Sequence, residues 1–264
     1  ILINPFVFPF MLNAAGREIP EEISGRKLKP YKGLFSFKPK GRYYAKPFKA
    51  VFPGETKILP SIKEAIKKTG LQDGMTISFH HHMRNGDAVV NMVVDEIARM
   101  GIKHIKLAPT ALFPVHEPLI EHIKKGVISS IEGSLNGPVG EYVSRNGLEE
   151  PVMIRSHGGR ARAVRSGDLH VDVAFLAASM ADEYGNCNGM LGQSAFGAMG
   201  FAVADSLHAD HVVVITDNLQ PYPVSPTTIS QIWVDYVVEV ESIGDPSGIQ
   251  TGTCLLYTSD AADE

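Results

Sequence analysis

The chain has 264 residues, 44% of them hydrophobic and 20% charged, with a formal net charge of −4. That composition supports one large or two modest apolar cores and excludes a nucleic-acid binder built on a basic, aromatic-laced stripe. The two cysteines, Cys187 and Cys254, are too few for a disulfide framework and point to a reducing, cytoplasmic setting, and no run of about 18 apolar residues is present to make a membrane helix.

The opening ILINPFVFPF, residues 1–10, is apolar but has no basic stretch and is broken by Pro5 and Pro9, which argues against a secretory leader. It reads as an extended arm or as upstream sequence translated ahead of a start at Met11. Residues 11–59 are rich in Gly, Pro and Lys, carry Tyr31, Phe35, Phe37, Tyr43 and Tyr44, and show no period, so an irregular arm is expected. From residue 60 the pattern becomes regular. SIKEAIKKTG predicts a helix capped by Ser61 and stopped by Gly70. Strand MTISFH (75–80) leads to helix GDAVVNMVVDEIARMG, whose Val89, Met92, Val93, Ile97 and Met100 recur at helical spacing. Strand HIKLAP, helix EPLIEHIKKG, strand VISSIEG, helix PVGEYVSRNG and strand PVMIRS follow. After a basic turn segment (155–168), HVDVAFLAAS (170–179) is a nearly continuous apolar run, the mark of a strand buried on both faces. Helix GQSAFGAMGFAVADSLHA and strands HVVVITD and VDYVVEVE complete the series.

Strands alternating with helices predict an α/β domain over residues 60–243: a mostly parallel sheet with flanking helices. Ligands of such sheets bind beyond the carboxyl ends of the strands, so the segments after each strand are the candidate stations. The first is HHHMRNGD. Successive side chains of extended chain alternate in direction, so His80 and His82 can share a side while His81 opposes them. Three adjacent histidines therefore do not converge on one ion without a sharp bend, and HExxH and CxxC are absent; no metal is expected. Arg84 offers a planar fork to a carboxylate or phosphate. Asn85 and Gly86 form a turn into a helix start, where N–H groups attract anions, and Asp87 serves equally well as a plain helix cap. The second station, GSLNGPVGEY, holds Asn136, Gly137 and Gly140, which suit either an ordinary loop or a close backbone approach to a ligand. The third, RSHGGRARAVRSGD, contains His157, Arg160 and further arginines that suit an anion or a solvated basic loop. The fourth, SMADEYGNCNGMLG, brings Asp182, Asn186 and Asn188 around Cys187, for which no activating partner is assignable, so turn filler is the simpler reading of the thiol.

Read together, GMTISFHHHMRNGDAVVN, SIEGSLNGPVGEYVS, IRSHGGRARAV, VDVAFLAASMADEYGNCNG and GDPSGIQTGT resemble the alpha chain of citrate lyase, a branch of the CoA-transferase superfamily, in order over residues 11–253. The resemblance implies a CoA-transferase-like fold with two α/β halves, of which this chain carries the first; residues 244–253, ending in GIQTGT, would enter the second. It implies exchange of acetate for citrate on a thioester of an acyl-carrier protein. The thioester substrate is a phosphopantetheine-type arm or CoA, and no tightly bound cofactor is expected. Citrate, a beta chain that cleaves the citryl thioester and a gamma chain that carries the arm are the implied partners in an oligomeric complex. His80, His81, His82, Asn85 and Gly86 stand where relatives keep a glycine-rich oxyanion turn, which implies an oxyanion or thioester pocket. Arg84, Asn136, Gly137, Gly140, His157, Arg160, Asp182, Asn186 and Asn188 are the implied substrate contacts. The glutamate nucleophile of other branches lies in the second half and maps to no residue here. The closing CLLYTSDAADE, residues 254–264, resembles the translated mosaic end of a transposon-type sequencing adapter, so natural sequence is expected to stop at Thr253. A sugar-phosphate enzyme of the same architecture and a non-catalytic assembly subunit are the competing readings.

Overall fold

In a computed structural model, the structure describes residues 9–23, 25–32, 47–145, 147–148 and 150–249. The opening residues 1–8 and the expected entry and tail from Gln250 onward lie outside the described residues. Two compact units divide between Ala45 and Lys46. In the first, Phe10–Leu12 pairs antiparallel with Glu18–Pro20, and Glu22–Ile23 with Arg26–Lys27.

The second unit is built on seven strands: β1 (Ile58–Leu59), β2 (Thr76–Phe79), β3 (Ile105–Pro109), β4 (Ile128–Ile131), β5 (Val173–Ala178), β6 (His211–Thr216) and β7 (Tyr236–Glu239). Their spatial order is β1-β7-β6-β5-β2-β3-β4, and every ladder is parallel. The expected parallel α/β sheet is thus present. VAFLAA of β5 is buried at every position, and TISF of β2 likewise, because covered parallel strands have no wet face. The helices are α1 (Ile62–Thr69), α2 (Val89–Arg99), α3 (Leu119–Lys124), α4 (Pro138–Ser144), α5 (His157–Ser166) and α6 (Gly200–His208). α1 begins and ends as expected: Ser61 accepts from Glu64 N, and Gly70 takes the left-handed conformation (φ 68°) that closes the helix.

Four expectations fail. Residues 47–59 belong with the sheet rather than with an arm, since Ile58–Leu59 forms its edge strand beside β7. PVMIRS contributes one isolated bridge, Glu132 to Met153, and no strand. The basic segment 155–168 is not a turn but α5: Ser156 caps it by accepting from Gly159 N, Gly167 ends it, and Arg and Ala between them are good helix formers. The predicted helix over 192–209 survives only from Gly200, because Phe196 and Gly197 donate to Gly189 O and hold the preceding residues in a turn.

Strand order reverses between β2 and β5: the chain runs outward from β2 through β3 to β4 on one side, and through β6 and β7 on the other. Pairing between these two strands covers only Ile77 and Ser78 with Val173 and Ala174. Their carboxyl ends flank a topological switch point, the place where open α/β sheets form a ligand crevice.

Candidate active site

The segment after β2 occupies that crevice. Its histidines do not continue as a strand; residues His81–Gly86 coil into a 3-10 turn, interrupted by Arg84 at φ 48° and ψ −127°. A non-glycine residue in that region is strained, and strain of this kind is held by surrounding packing. The packing comes from residues 243–248. Ala88 N donates to Ile243 O, Asp245 N donates to Gly86 O, and a Cβ on Gly86 would stand 2.2 Å from Asp245 O. Gly86 therefore serves a backbone-to-backbone approach to the segment that was expected to lead into a second half.

The coil turns the rings into one connected cluster. His80 lies 5.6 Å from His82, and His82 lies 5.2 Å from Phe196 at an interplanar angle of 7°. His81 swings away from them to His157, 5.1 Å off, with Phe201 5.2 Å from the first and 5.0 Å from the second. His82 bridges the two groups, its ring 6.5 Å from His81 and 6.4 Å from Phe201, so the coil does not oppose His81 to the other two as an extended strand would. His157 reaches the site because it opens α5, so two stations distant in sequence meet.

Burial pushes the three imidazoles down, His81 to about 4 and His82 to about 3, with neighbouring imidazoles lowering both further. At neutral pH His81 and His82 are uncharged rings that each offer one donor. Thr110 Oγ1 accepts from His81 N at 2.8 Å and lies 2.5 Å from His81 Nδ1. The Thr110 hydroxyl thereby anchors both the backbone and the ring of His81. Arg84 is exposed, while the Asn85 amide oxygen is held by Val115 N at 3.0 Å.

Beneath the rings lies a buried charge network. Arg160 donates from two nitrogens to both oxygens of Asp205 at 3.0 and 2.8 Å, and also to Ser78 Oγ and Ala108 O. Ser78 Oγ donates to Asp205, and His80 Nε2 faces the same carboxylate at 3.2 Å. Burial disfavours the Asp205 carboxylate, but His80 and Arg160 outweigh it and hold the group well below the usual carboxylate range. This overturns Arg160 as a substrate contact: it is 3% exposed, and its terminal nitrogens are committed to the floor of the site. Sequence reasoning missed Asp205. Its signal was a lone carboxylate in the small-residue helix GFAVADSLH, a charge that must find a partner if the helix packs on a sheet.

The fourth station also serves the fold. Asp182 Oδ1 accepts from the backbone N–H groups of Tyr184, Gly185 and Asn186, and Oδ2 from Asn186 Nδ2 and Val224 N. Asn188 donates to Pro226 O and accepts from Met190 N. Asp182, Asn186 and Asn188 thus exhaust their polar atoms in building a turn and are not ligand contacts. Cys187 is fully buried, and burial pushes its thiol up to about 12, which leaves it inert. At the second station Asn136, Gly137 and Gly140 line a cavity of about 470 Å³ beside α4. A Cβ on Gly140 would stand 3.0 Å from Leu135 O, so close packing of α4 accounts for that glycine. Another cavity of about 470 Å³, lined by Phe48, Phe52, Lys57, Tyr184 and Tyr222, is more apolar. Its buried Lys57 ammonium is spent on the carbonyls of Lys49, Gln231 and Val234.

A family profile described as citrate lyase, alpha subunit (CitF) matches residues 55–262. The citrate lyase alpha chain of Escherichia coli (strain K12) is 45% identical over 226 residues, which cover 85% of this chain and 43% of the relative. A Streptococcus mutans protein, described as an alpha subunit of citrate lyase and solved in complex with citrate, is 50% identical with a TM-score of 0.75, covering 89% of this chain and 46% of that one. Glutaconate coenzyme A-transferase from Acidaminococcus fermentans shares the fold alone, at 14% identity and TM-score 0.52 over 70% of this chain and 75% of that one. The chain thus spans less than half the length of its citrate lyase relatives. The parallel sheet, the histidine coil at its switch point and the match across most of the described second unit lead to one assignment: this chain belongs to the citrate lyase alpha subunit family.

Proposed function

We propose that this chain supplies the citrate-binding half of a citrate CoA-transferase. The reaction exchanges acetate for citrate on an acyl-carrier thioester. A citrate carboxylate oxygen attacks the acetyl thioester carbonyl, and the carbon–sulfur bond breaks to release thiolate and a mixed anhydride. The thiolate then attacks the citryl carbonyl, and acetate leaves. The observation that carries this reading is the ring cup of His81, His82 and His157 with exposed Arg84 at the carboxyl end of β2. Uncharged imidazoles donate to carboxylate or developing oxyanion without the desolvation cost of extra buried cations. Arg84 adds the single fork that matches a carboxylate in bidentate fashion. The buried Asp205–Arg160 pair holds His80 and the floor in place. The thioester arm, the second α/β half, and the beta and gamma chains are the further parts that the reaction requires.

Calorimetric titration of citrate into the 264-residue chain tests the binding half of the proposal. Saturable binding that His82→Ala and Arg84→Ala each weaken by about tenfold or more is expected, the loss of one charge-assisted contact. Acetate release from an acetyl thioester on addition of citrate, by the full-length relative-sized chain, tests the chemistry; the 264-residue chain alone is expected to give none. Citrate binding unchanged by both substitutions would overturn the site.

A further inference from the structure

At the end of the sheet opposite the histidine coil, the amino ends of β5 and β6 stand side by side, Val173 in register with His211. His170 and Asp172 precede β5, and Asp210 precedes β6. Their backbones are tied down: Asp210 N donates to Val171 O, His211 N to Asp172 O, and Asp172 N to Thr76 O. Asp172 is also aimed. Its Oδ2 accepts from Thr76 N at 2.7 Å, which leaves Oδ1 facing His170 Nε2 at 3.5 Å. The same Nε2 lies 3.0 Å from Asp210 Oδ2, and one donor atom from each residue falls within 4.8 Å of the others. Two metal bonds of about 2.1 Å meeting at octahedral or tetrahedral angles separate their ligand atoms by about 3.0 to 3.4 Å. The distances from His170 fall near that range, and the 3.0 Å hydrogen bond between His170 and Asp210 is the contact an entering ion would replace.

We propose that His170, Asp172 and Asp210 form a divalent transition-metal site that clips the amino ends of β5 and β6. One imidazole and two carboxylates suit a zinc-type ion and disfavour magnesium, which takes oxygen ligands. The side chains of His170 and Asp210 are 62% and 56% exposed, so the ion enters from solvent and keeps water in its remaining positions. The hydrogen bond from Thr76 to Asp172 is the outer contact that orients a ligating carboxylate. Nearby Lys49 does not compete for the Asp210 carboxylate: its ammonium pairs with Asp235 at 2.7 Å and donates to the Asp210 carbonyl. The site is separate from the histidine coil, which stands at the other ends of the strands.

The test is thermal unfolding of the 264-residue chain with zinc chloride, cobalt chloride or magnesium chloride, paired with calorimetric titration of zinc. Zinc and cobalt are expected to raise the midpoint, with cobalt showing visible absorption of a nitrogen–oxygen site, and magnesium to leave it unchanged. His170→Gln and Asp210→Asn, both surface changes that preserve the fold, should weaken zinc binding by about tenfold or more. His157→Ala, which removes a ring of the histidine coil, should not. Absence of any zinc-dependent shift, an equal shift in His170→Gln, loss of the shift in His157→Ala, or an equal response to magnesium each overturns the proposal.

Discussion

The coil after β2 and the turn after β5 flank the same crevice and look equally functional as sequence: HHHMRNGD against ADEYGNCNG. They differ in what their polar atoms have left to offer. In the turn, Asp182, Asn186 and Asn188 satisfy one another and the backbone, as buried polar groups must. In the coil, His81 engages one ring nitrogen with Thr110, His82 Nε2 has no hydrogen-bond partner among the described residues, and Arg84 is turned outward. A polar cluster is a site in proportion to the hydrogen-bonding capacity that the fold leaves unspent.

The comparison breaks first at the floor beneath the coil. Arg160→Met or Asp205→Leu alone strands a buried charge and should cost about 3–5 kcal/mol in denaturant unfolding, whereas the double variant should recover much of that loss. If the two losses simply add, the network is not a unit. Asp182→Ala should cost about 2–3 kcal/mol, since several N–H groups lose a charged acceptor. Citrate affinity of whatever remains folded should be unchanged; a selective loss of citrate binding would return the turn to the site. His81→Ala should show the reverse: a nearly unchanged unfolding midpoint without citrate, and loss of the citrate-induced rise in that midpoint.

Asp87 sharpens the comparison through pH. It accepts from Val90 N at the start of α2, yet burial pushes its carboxyl up to about 7. A raised folded-state value favours the folded chain while the group is protonated. That contribution is complete below the unfolded value near 3.8 and fades as pH rises through about 7. Asp87→Asn keeps the acceptor and cannot ionise, so its midpoint should exceed that of the parent at pH 8 and match it at pH 4; equal midpoints at both would show that Asp87 ionises freely. The smallest effect is a null one. With Cys254→Ser removing the tail thiol, Cys187 should resist a thiol reagent at pH 8 until the chain unfolds, and prompt labelling would contradict its burial.

Much of the fold was legible because its signals are local. α1 shows its cap and stop, α2 its apolar spacing, and β5 its unbroken apolar run. The misread segments are those where long-range contacts decide. The Gly158–Gly159 pair looks like a loop, but it lies in the first turn of a capped helix; PVMIRS has a strand's composition and only one bridging partner. Within the site, the histidines and Arg84 were legible from their place after a strand. Asp205 and Thr110 were not, because their roles depend on partners 125 and 29 positions away, at His80 and His81.

By itself, the sequence determined an alternating α/β chain, its parallel sheet and the segments that could face a ligand, since periodicity and capping are properties of neighbouring residues. The family, too, could be read from motifs in order. Only the tertiary structure separated the candidate site from the segments that serve the fold. Strand order placed the switch point between β2 and β5, and close packing of Gly86 against Asp245 formed the coil. Burial then left the histidines neutral while Asp205 and Arg160 spent their charges on each other. The balance between desolvation and pairing depends on which groups the fold brings together, and no stretch of neighbouring residues records it.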